Sequence, residues 1–335
     1  MDVNSWPVGQ VALADDSGTG PRQLTALVLD VLGPGLAPGG LPPLSGEPLT
    51  VRTGSYVVDP PFFGNGDLGR LAVAGTVNAL IATGADPYAL TLGLIVEAGT
   101  PLQLLHRITE SIRDTAHEAG IAIAAVDTRV VRAGDADQLF LTATGIGVHR
   151  RPPLSLGAVR PGDRVLVTAP LGNHAVHLLS LRAGLGFEHH VPSDCAPLTS
   201  LLNGLPPGAV RAAAPITSGG LAATLRTCAT ARGLTLRIDE GALPVQYEAR
   251  PAFELLGLAP LHTANAGSMC LFAPPAAADA VLAALRSHPY GRQAAIVGTV
   301  TDDTAGAVEL RSPDGPVHRL PAGVPPGSAE PPRLR

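Results

Sequence analysis

The chain has 335 residues, 45% of them hydrophobic and 15% charged, enough apolar material for two ordinary domains with separate cores. A formal net charge of -5 and a pI near 6.0 argue against a nucleic-acid binder. All 23 basic residues are arginine, so no lysine amine is present to give up a proton near neutral pH.

Residues 1 to 48 are rich in glycine, proline and small side chains and read as a flexible N-terminal segment, with one amphipathic piece from Gln23 to Leu32. A strand is expected between Thr50 and Val58, then a helix from Asp67 to Thr83, where Leu68, Leu71, Ala72, Val77, Leu80 and Ile81 follow helical spacing. Tyr88 to Val96 reads as a buried strand and Leu102 to Glu118 as an amphipathic helix. Ile121–Val126 and Gln138–Val148 read as strands. The turn-rich stretch from Arg150 to Asp163 separates a first domain, 49–150, from a second, 160–320.

In the second domain, strands are expected at Arg164–Thr168, Leu234–Ile238, Ser268–Phe272, Ala295–Val300 and Val308–Leu310. Helices are expected at Asn173–Ala183, Leu221–Ala231 and Ala276–Ser287. Residues 321–335 form a proline-rich tail. Helices alternate with strands in both halves, which places the chain in the α/β (α+β) class. Cys195, Cys228 and Cys270 are far apart with no CxxC pair, which suits a reduced, cytoplasmic protein without structural zinc. No apolar run reaches membrane-spanning length and no basic-then-apolar leader opens the chain, so no membrane partner is expected.

The residues with most to say about chemistry lie between Thr53 and Pro87. Gly64-Asn65-Gly66-Asp67 is a glycine-rich turn that opens a helix. Such a turn aims backbone N–H groups at phosphate, and the helix N-terminus adds partial positive charge. Asp67 is placed to hold Mg²⁺ on phosphate oxygens, or to cap the helix. Asn78 lies eleven residues later, about three helical turns, and so faces the same side. It reads as a satisfied core amide or, paired with Asp67, as a nucleotide contact.

Asp127 closes an apolar strand, where carboxylates line α/β sites or start turns. Arg129 follows on the same side of an extended chain, as a phosphate fork or a surface ion pair. Asp15-Asp16-Ser17-Gly18-Thr19-Gly20 reads as a solvated loop or as a flap over phosphates.

Together these runs resemble the HypE-like members of the superfamily that holds aminoimidazole ribonucleotide (AIR) synthase, selenophosphate synthetase and thiamine-phosphate kinase. The resemblance is carried by DPPFFGNGDLGRLAVAGTVN from Asp59, GADP from Gly84, DTRVV from Asp127 and TGIGV from Thr144. In the second half it is carried by SDCAPL from Ser193, GGLA from Gly219, IDEGALPV from Ile238 and HPYGRQAAIVG from His288. It implies a two-domain AIR synthase-like (PurM-like) fold, with a homodimer formed through N-terminal β-sheets. It implies ATP and Mg²⁺ as cofactors, and phosphorylation of a carbamoyl or amide-type oxygen that then leaves as phosphate.

Residue reading and resemblance together place Asp67, Asp127 and Arg129 in catalysis and Asp67 and Asp127 on the metal; Asp59, which stands where the family has another residue, reads as a turn-starting Asp or as a further metal carboxylate replacing a lost one. Gly64, Gly66, Arg70, Asn78, Gly219 and Gly220 are expected on the nucleotide, with Ser17 and Gly18 added only by the flap reading of their loop. Departures from the family pattern are as informative. Its Thr-Asp-Ser is Thr53-Gly54-Ser55 here, and its Val-Asn-Asp is Val77-Asn78-Ala79. Its Gly-Asp-Thr is Val126-Asp127-Thr128, and its Asp-Pro-Thr-Arg-Gly-Gly is Pro215-Ile216-Thr217-Ser218-Gly219-Gly220. Its Asn-Glu-Gly is Asn265-Ala266-Gly267. Arg70 and Arg129 stand for two family lysines.

The family's Pro-Arg-x-Cys tail corresponds to Pro331-Pro332-Arg333-Leu334-Arg335, so a substrate not carried on the chain's own C-terminus is expected. The first reading is therefore a diverged ATP-dependent enzyme acting on a small-molecule or protein-carried carbamoyl or amide substrate. The alternatives are a catalytically degenerate homologue serving as a binding or heterodimer partner of a paralogue, and a hydrogenase maturation factor with an altered tail.

Overall fold

The computed structural model describes residues 9–11, 19–33 and 41–321. The chain divides into two units, Met1–Ile81 with Ala85–Arg151, and Ala82–Gly84 with Pro152–Arg335. Among the described residues, no helix is long and apolar enough to cross a membrane.

The first unit runs α1 (Thr19–Leu32), β1 (Leu49–Tyr56), α2 (Leu68–Ile81), β2 (Asp86–Glu97), α3 (Leu102–Ala119), β3 (Ala122–Val131) and β4 (Leu139–Val148). Its four-stranded sheet has the order β1-β4-β2-β3. Only β2 and β3 pair in parallel, and α3 supplies the crossover that a parallel pair requires.

In α3, Leu105, Ile108, Ile112, Ala116 and Ala119 recur at three- and four-residue steps and are buried. Burying each of the larger three stabilises the fold by roughly 2 kcal/mol. Gly120, in the left-handed conformation at φ 69°, ends the helix by donating to Ala116 and His117. The second helix, α2, lies against the sheet because β4 offers it glycine. A Cβ at Gly145 would stand 2.7 Å from Leu80 Cδ1.

The other face of this sheet carries Leu49, Val51 and Ile95, which are 52%, 54% and 40% exposed. Between them runs a hydroxyl row in which Thr144 Oγ1 donates to Thr53 Oγ1 at 2.9 Å.

The second unit runs β5 (Arg164–Val167), α4 (Asn173–Ala183), α5 (Thr199–Asn203), β6 (Ala212–Pro215), α6 (Gly220–Arg232) and β7 (Leu236–Asp239). It continues through α7 (Arg250–Leu256), β8 (Met269–Ala273), α8 (Pro275–Ser287), β9 (Ala295–Val300), β10 (Val308–Arg311) and β11 (Val317–Arg319). The seven-stranded sheet has the order β11-β10-β7-β9-β5-β8-β6. Val165, Val167, Leu236, Ile238, Phe272 and Val297 from its strands close with Leu221 and Leu225 of α6 into one core.

The turn into β5 is tied by a buried carboxylate. Asp163 accepts from Arg160 N at 2.9 Å and from Arg211 Nε at 3.1 Å, joining the turn to the lead-in of β6.

Candidate active site

The Gly64–Asp67 turn is closed by its own backbone. Phe63 N donates to Gly66 O at 2.8 Å, and Leu68 N to Pro61 O at 2.9 Å. Gly64 sits at φ 70°, and a Cβ on Gly66 would fall 2.4 Å from the Phe63 ring, so both glycines are required by the turn itself. The turn delivers Asp67 to the start of α2, where Oδ1 accepts from Arg70 N at 2.9 Å as an N-cap would.

Asp67 is pressed against α3 at Gly69, whose Cβ would meet Ile108 O at 2.5 Å. Burial raises its carboxyl pKa above the ordinary value. Hydrogen bonds from the Arg70 and Gly69 amides and the Ser111 hydroxyl pull the other way without cancelling the shift.

Asn78, further along α2, is buried. Arg70 is turned to α3, with Nη1 2.8 Å from Glu118 Oε2, so its charge is already shared.

For Asp127 and Arg129 the surface ion pair is the alternative that the structure shows, while the strand boundary differs from the expected one. The strand does not end at Val126; β3 continues to Val131. Alternation sends Thr128 inward to Thr25 Oγ1, and sends Asp127 and Arg129 out to the exposed face, 72% and 73% exposed. There they form a loose surface ion pair at 3.8 Å. Asp67 belongs to the helical layer on the other side of the sheet, and Asp59 is exposed in the loop after β1. Asp59, Asp67 and Asp127 therefore do not converge. Among the described residues, no three His, Cys, Asp or Glu side chains could hold one metal ion. Ser17 and Gly18 lie outside the described residues.

In the second unit, Gly219 and Gly220 open α6 with two successive positive φ values, 80° and 64°. A Cβ on Gly220 would strike the backbone of Leu261, His262 and Thr263 at 2.6–2.7 Å. Their first duty is thus to let α6 start against that loop, which leaves Thr217 and Ser218 exposed at its N-terminus.

A cluster that the sequence did not reveal lies nearby in the chain's fold. Asp194 accepts from Asn265 Nδ2 at 2.8 Å, Ala266 N at 3.2 Å and Gly267 N at 3.1 Å. Asn265 Oδ1 in turn accepts from Gly172 N at 2.9 Å, at the head of α4. Beside it, His174 Nδ1 meets Ser193 Oγ at 2.8 Å. Burial draws the His174 pKa down to about 4, against the opposing pull of Asp194. In the sequence this region is marked by the SDCAPL run, which holds Ser193 and Asp194, and by Asn265-Ala266-Gly267, but nothing there brings the two together.

The sequence matches the AIR synthase related protein N-terminal domain over residues 41–149 and the C-terminal domain over residues 160–311. Carbamoyl dehydratase HypE of Azotobacter vinelandii is 42% identical over 272 residues, 80% of this chain and 79% of the relative. The chain belongs to the HypE-like AIR synthase related family.

Two solved structures extend the likeness. The crystal structure of hydrogenase maturation protein HypE in complex with ATP aligns with a TM-score of 0.87 at 35% identity, covering 95% of this chain and 99% of that one. A HypE–HypF complex contains a chain that aligns with a TM-score of 0.78 at 35% identity, covering 84% of this chain and 92% of that one. The two-domain, mixed α/β PurM-like fold expected from the resemblance is the fold observed.

One departure from the HypE-like pattern has a visible structural counterpart. At Gly54, where the family pattern has an acid, a Cβ would stand 2.5 Å from Tyr56 Oη. That phenol lies 2.9 Å from Thr76 Oγ1 of α2, and a Cβ on Gly75 would also strike it, at 2.8 Å. Tyr56 thus occupies the space that an acid at position 54 would need.

Proposed function

We propose that this HypE-like chain is an ATP-dependent enzyme that phosphorylates the oxygen of a carbamoyl or amide-type group. Loss of that oxygen as phosphate, with the two N–H protons, turns the amide carbon and nitrogen into a nitrile. The observation that carries the reading is the glycine-rich turn ending in a half-buried Asp67 of raised pKa, in a chain 35% identical to a HypE solved with ATP.

ATP supplies the phosphoryl group that makes the oxygen a leaving group. The Gly64–Asp67 turn and the N-terminus of α2 offer it partial positive charge. Asp67 is the carboxylate proposed to face a magnesium ion. The described residues fit that ion as one carried by phosphate oxygens, because Mg²⁺ in phosphoryl-transfer sites needs only one or two protein carboxylates. Arg70 must release Glu118 before it can meet a phosphate oxygen.

The substrate is proposed to arrive on another molecule. Cys195, Cys228 and Cys270 are all buried. Burial pushes the Cys228 thiol up to about 11 and raises that of Cys270 as well, so neither is a competent carrier. The HypE–HypF complex supports a protein as the donor. Three free thiols also suit a reducing, cytoplasmic setting.

Calorimetric titration of ATP with Mg²⁺ tests the nucleotide site, with Asp67→Asn as its probe. Asparagine caps a helix as well as aspartate does. Asp67 binds its proton more tightly when folded, so its ionised form weakens the fold as pH rises from the unfolded pKa through the raised folded one. At neutral pH the variant is therefore expected to be at least as stable as the parent. Its Mg²⁺–ATP affinity is expected to fall at least about tenfold. Unchanged affinity would remove Asp67 from the site. No saturable binding by the parent chain would favour the second reading, a scaffold or heterodimer partner, which the non-acidic Gly54, Ala79 and Ala266 support.

A homodimer is proposed through the exposed face of the first sheet, where Leu49, Val51 and Ile95 flank the threonine row. Val51→Glu would bury an unpaired carboxylate in that seam, costing roughly 3 kcal/mol or more. Light scattering should show a dimer for the parent and a monomer for the variant. A monomeric parent, or a variant still dimeric, would refute this arrangement.

A further inference from the structure

We propose that the second unit carries a separate pocket for a small phosphorylated organic molecule, on the sheet face where Arg164, Arg237 and Arg311 emerge. Strand register puts these side chains together. Arg237 of β7 pairs with Thr299 of β9, and Thr299 pairs in turn with Arg164 of β5. The backbones of the two arginines thus lie two strand spacings apart, roughly 10 Å, with Thr299 between them. Arg311 of β10 lies in register with Asp239, two residues along β7 from Arg237.

With Thr301, these residues line a cavity of about 380 Å³. Gly298 also lines it.

Charge bookkeeping favours an anion. Among the described residues, Arg164 donates to the neutral Thr299 Oγ1 at 2.7 Å, and neither Arg164 nor Arg311 has an ion pair. Arg237 is held by Glu309 at 3.0 Å, which orients it as well as partly neutralising it. Asp239 Oδ1 accepts from Gly241 N at 3.1 Å. A solvated charged strand face would have these same residue types. What it would not have is a concavity lined by three arginines, two of them without an ion pair, against the one carboxylate of Asp239.

Guanidinium forks and hydroxyls together match a phosphomonoester better than a carboxylate. The volume exceeds what a bare phosphate fills and reaches the lower end of small-molecule sites, ~300–1,000 Å³.

The test follows the arginine Nε–H resonances of ¹⁵N-labelled protein during titration with glycerol 3-phosphate, inorganic phosphate and glycerol. Saturable shifts of Arg164, Arg237 and Arg311 with glycerol 3-phosphate are expected, none with glycerol, and weaker binding of inorganic phosphate. Arg311→Ala and Arg164→Gln should each weaken binding about tenfold, as removal of a charge-assisted fork does, while thermal melting is unchanged. Asp67→Asn should bind as the parent does, since every lining residue belongs to the second unit. No saturation by about 10 mM, beyond the ordinary range of small-molecule sites, would overturn the proposal. So would equal affinity for inorganic phosphate, or arginine variants that bind unchanged.

Discussion

Gly267→Ala is expected to destabilise the second unit by about 3 kcal/mol or more, the upper end for an overpacked site whose neighbours cannot yield. The Cβ of alanine would stand 1.9 Å from Asp194 O, 2.9 Å from Ala196 N and 3.0 Å from Asp194 C. All three are backbone atoms, so no rotamer change relieves the clash. Gly267 is not among the positive-φ residues, so the penalty comes from the collision and not from backbone conformation.

The two segments must move apart, and the same contact holds the Asp194 carboxylate on the amides of Ala266 and Gly267 and on Asn265. Asn265 also donates to Pro170 O at 2.8 Å, so the disturbance reaches the link between β5 and α4. Thermal melting and amide exchange at residues 194–196 and 265–268 would measure the loss. Gly204→Ala is the control. Its Cβ would meet only Leu201 O and Ser200 O, at 3.5 Å, and its φ of -77° suits alanine. A Gly267→Ala protein as stable as that control would contradict the packing described here.

This contact also shows where sequence reading stopped. Helices α3, α4 and α8 were legible almost to the residue, because apolar spacing and terminal Gly or Pro signals agree there. The start of α2 was legible for the same reason, with Gly64, Gly66 and Asp67 breaking the chain ahead of the apolar face. Strand β6 was not. Its sequence Ala-Ala-Ala-Pro carries no β-branched side chain, and it is a strand only because β8 offers a ladder.

β3 was cut short at Val126 because Asp127 looked like a strand end. In the structure it is the outward member of an alternation, and that one misjudged boundary would have put two carboxylates in one site. The Asp194–Gly267 contact spans 73 residues of chain, so no local pattern could announce it. Tyr56 was hidden for a related reason. Only the fold shows that its ring reaches back over Gly54 and across to Gly75.

The second unit is also expected to lose about 3 kcal/mol of stability as the pH falls from 6.5 to 4, through one histidine. His174 is buried at the start of α4, with Nδ1 on Ser193 Oγ. Its pKa is drawn from 6.5 down to about 4, first by burial, with His177 and Arg182 adding to the shift and Asp194 opposing it. Between those two values the unfolded chain holds a proton that the folded chain refuses, so protonation favours unfolding. The contribution is complete above pH 6.5 and is lost as the pH falls through the folded value.

Asp67 carries the opposite sign, gaining stability from protonation, and softens the decline of the whole molecule without altering the second unit. The two are separated by His174→Gln, which keeps a polar partner for Ser193 and cannot be protonated. Its melting temperature should be lower than the parent's at pH 7, since a well-fitted ring is lost. It should then change much less between pH 6.5 and 4. Parallel profiles for parent and variant would mean that His174 is already protonated in the fold or is not buried as described. A flattened profile would mean that the enclosed, neutral His174 ties the stability of this half of the molecule to proton concentration.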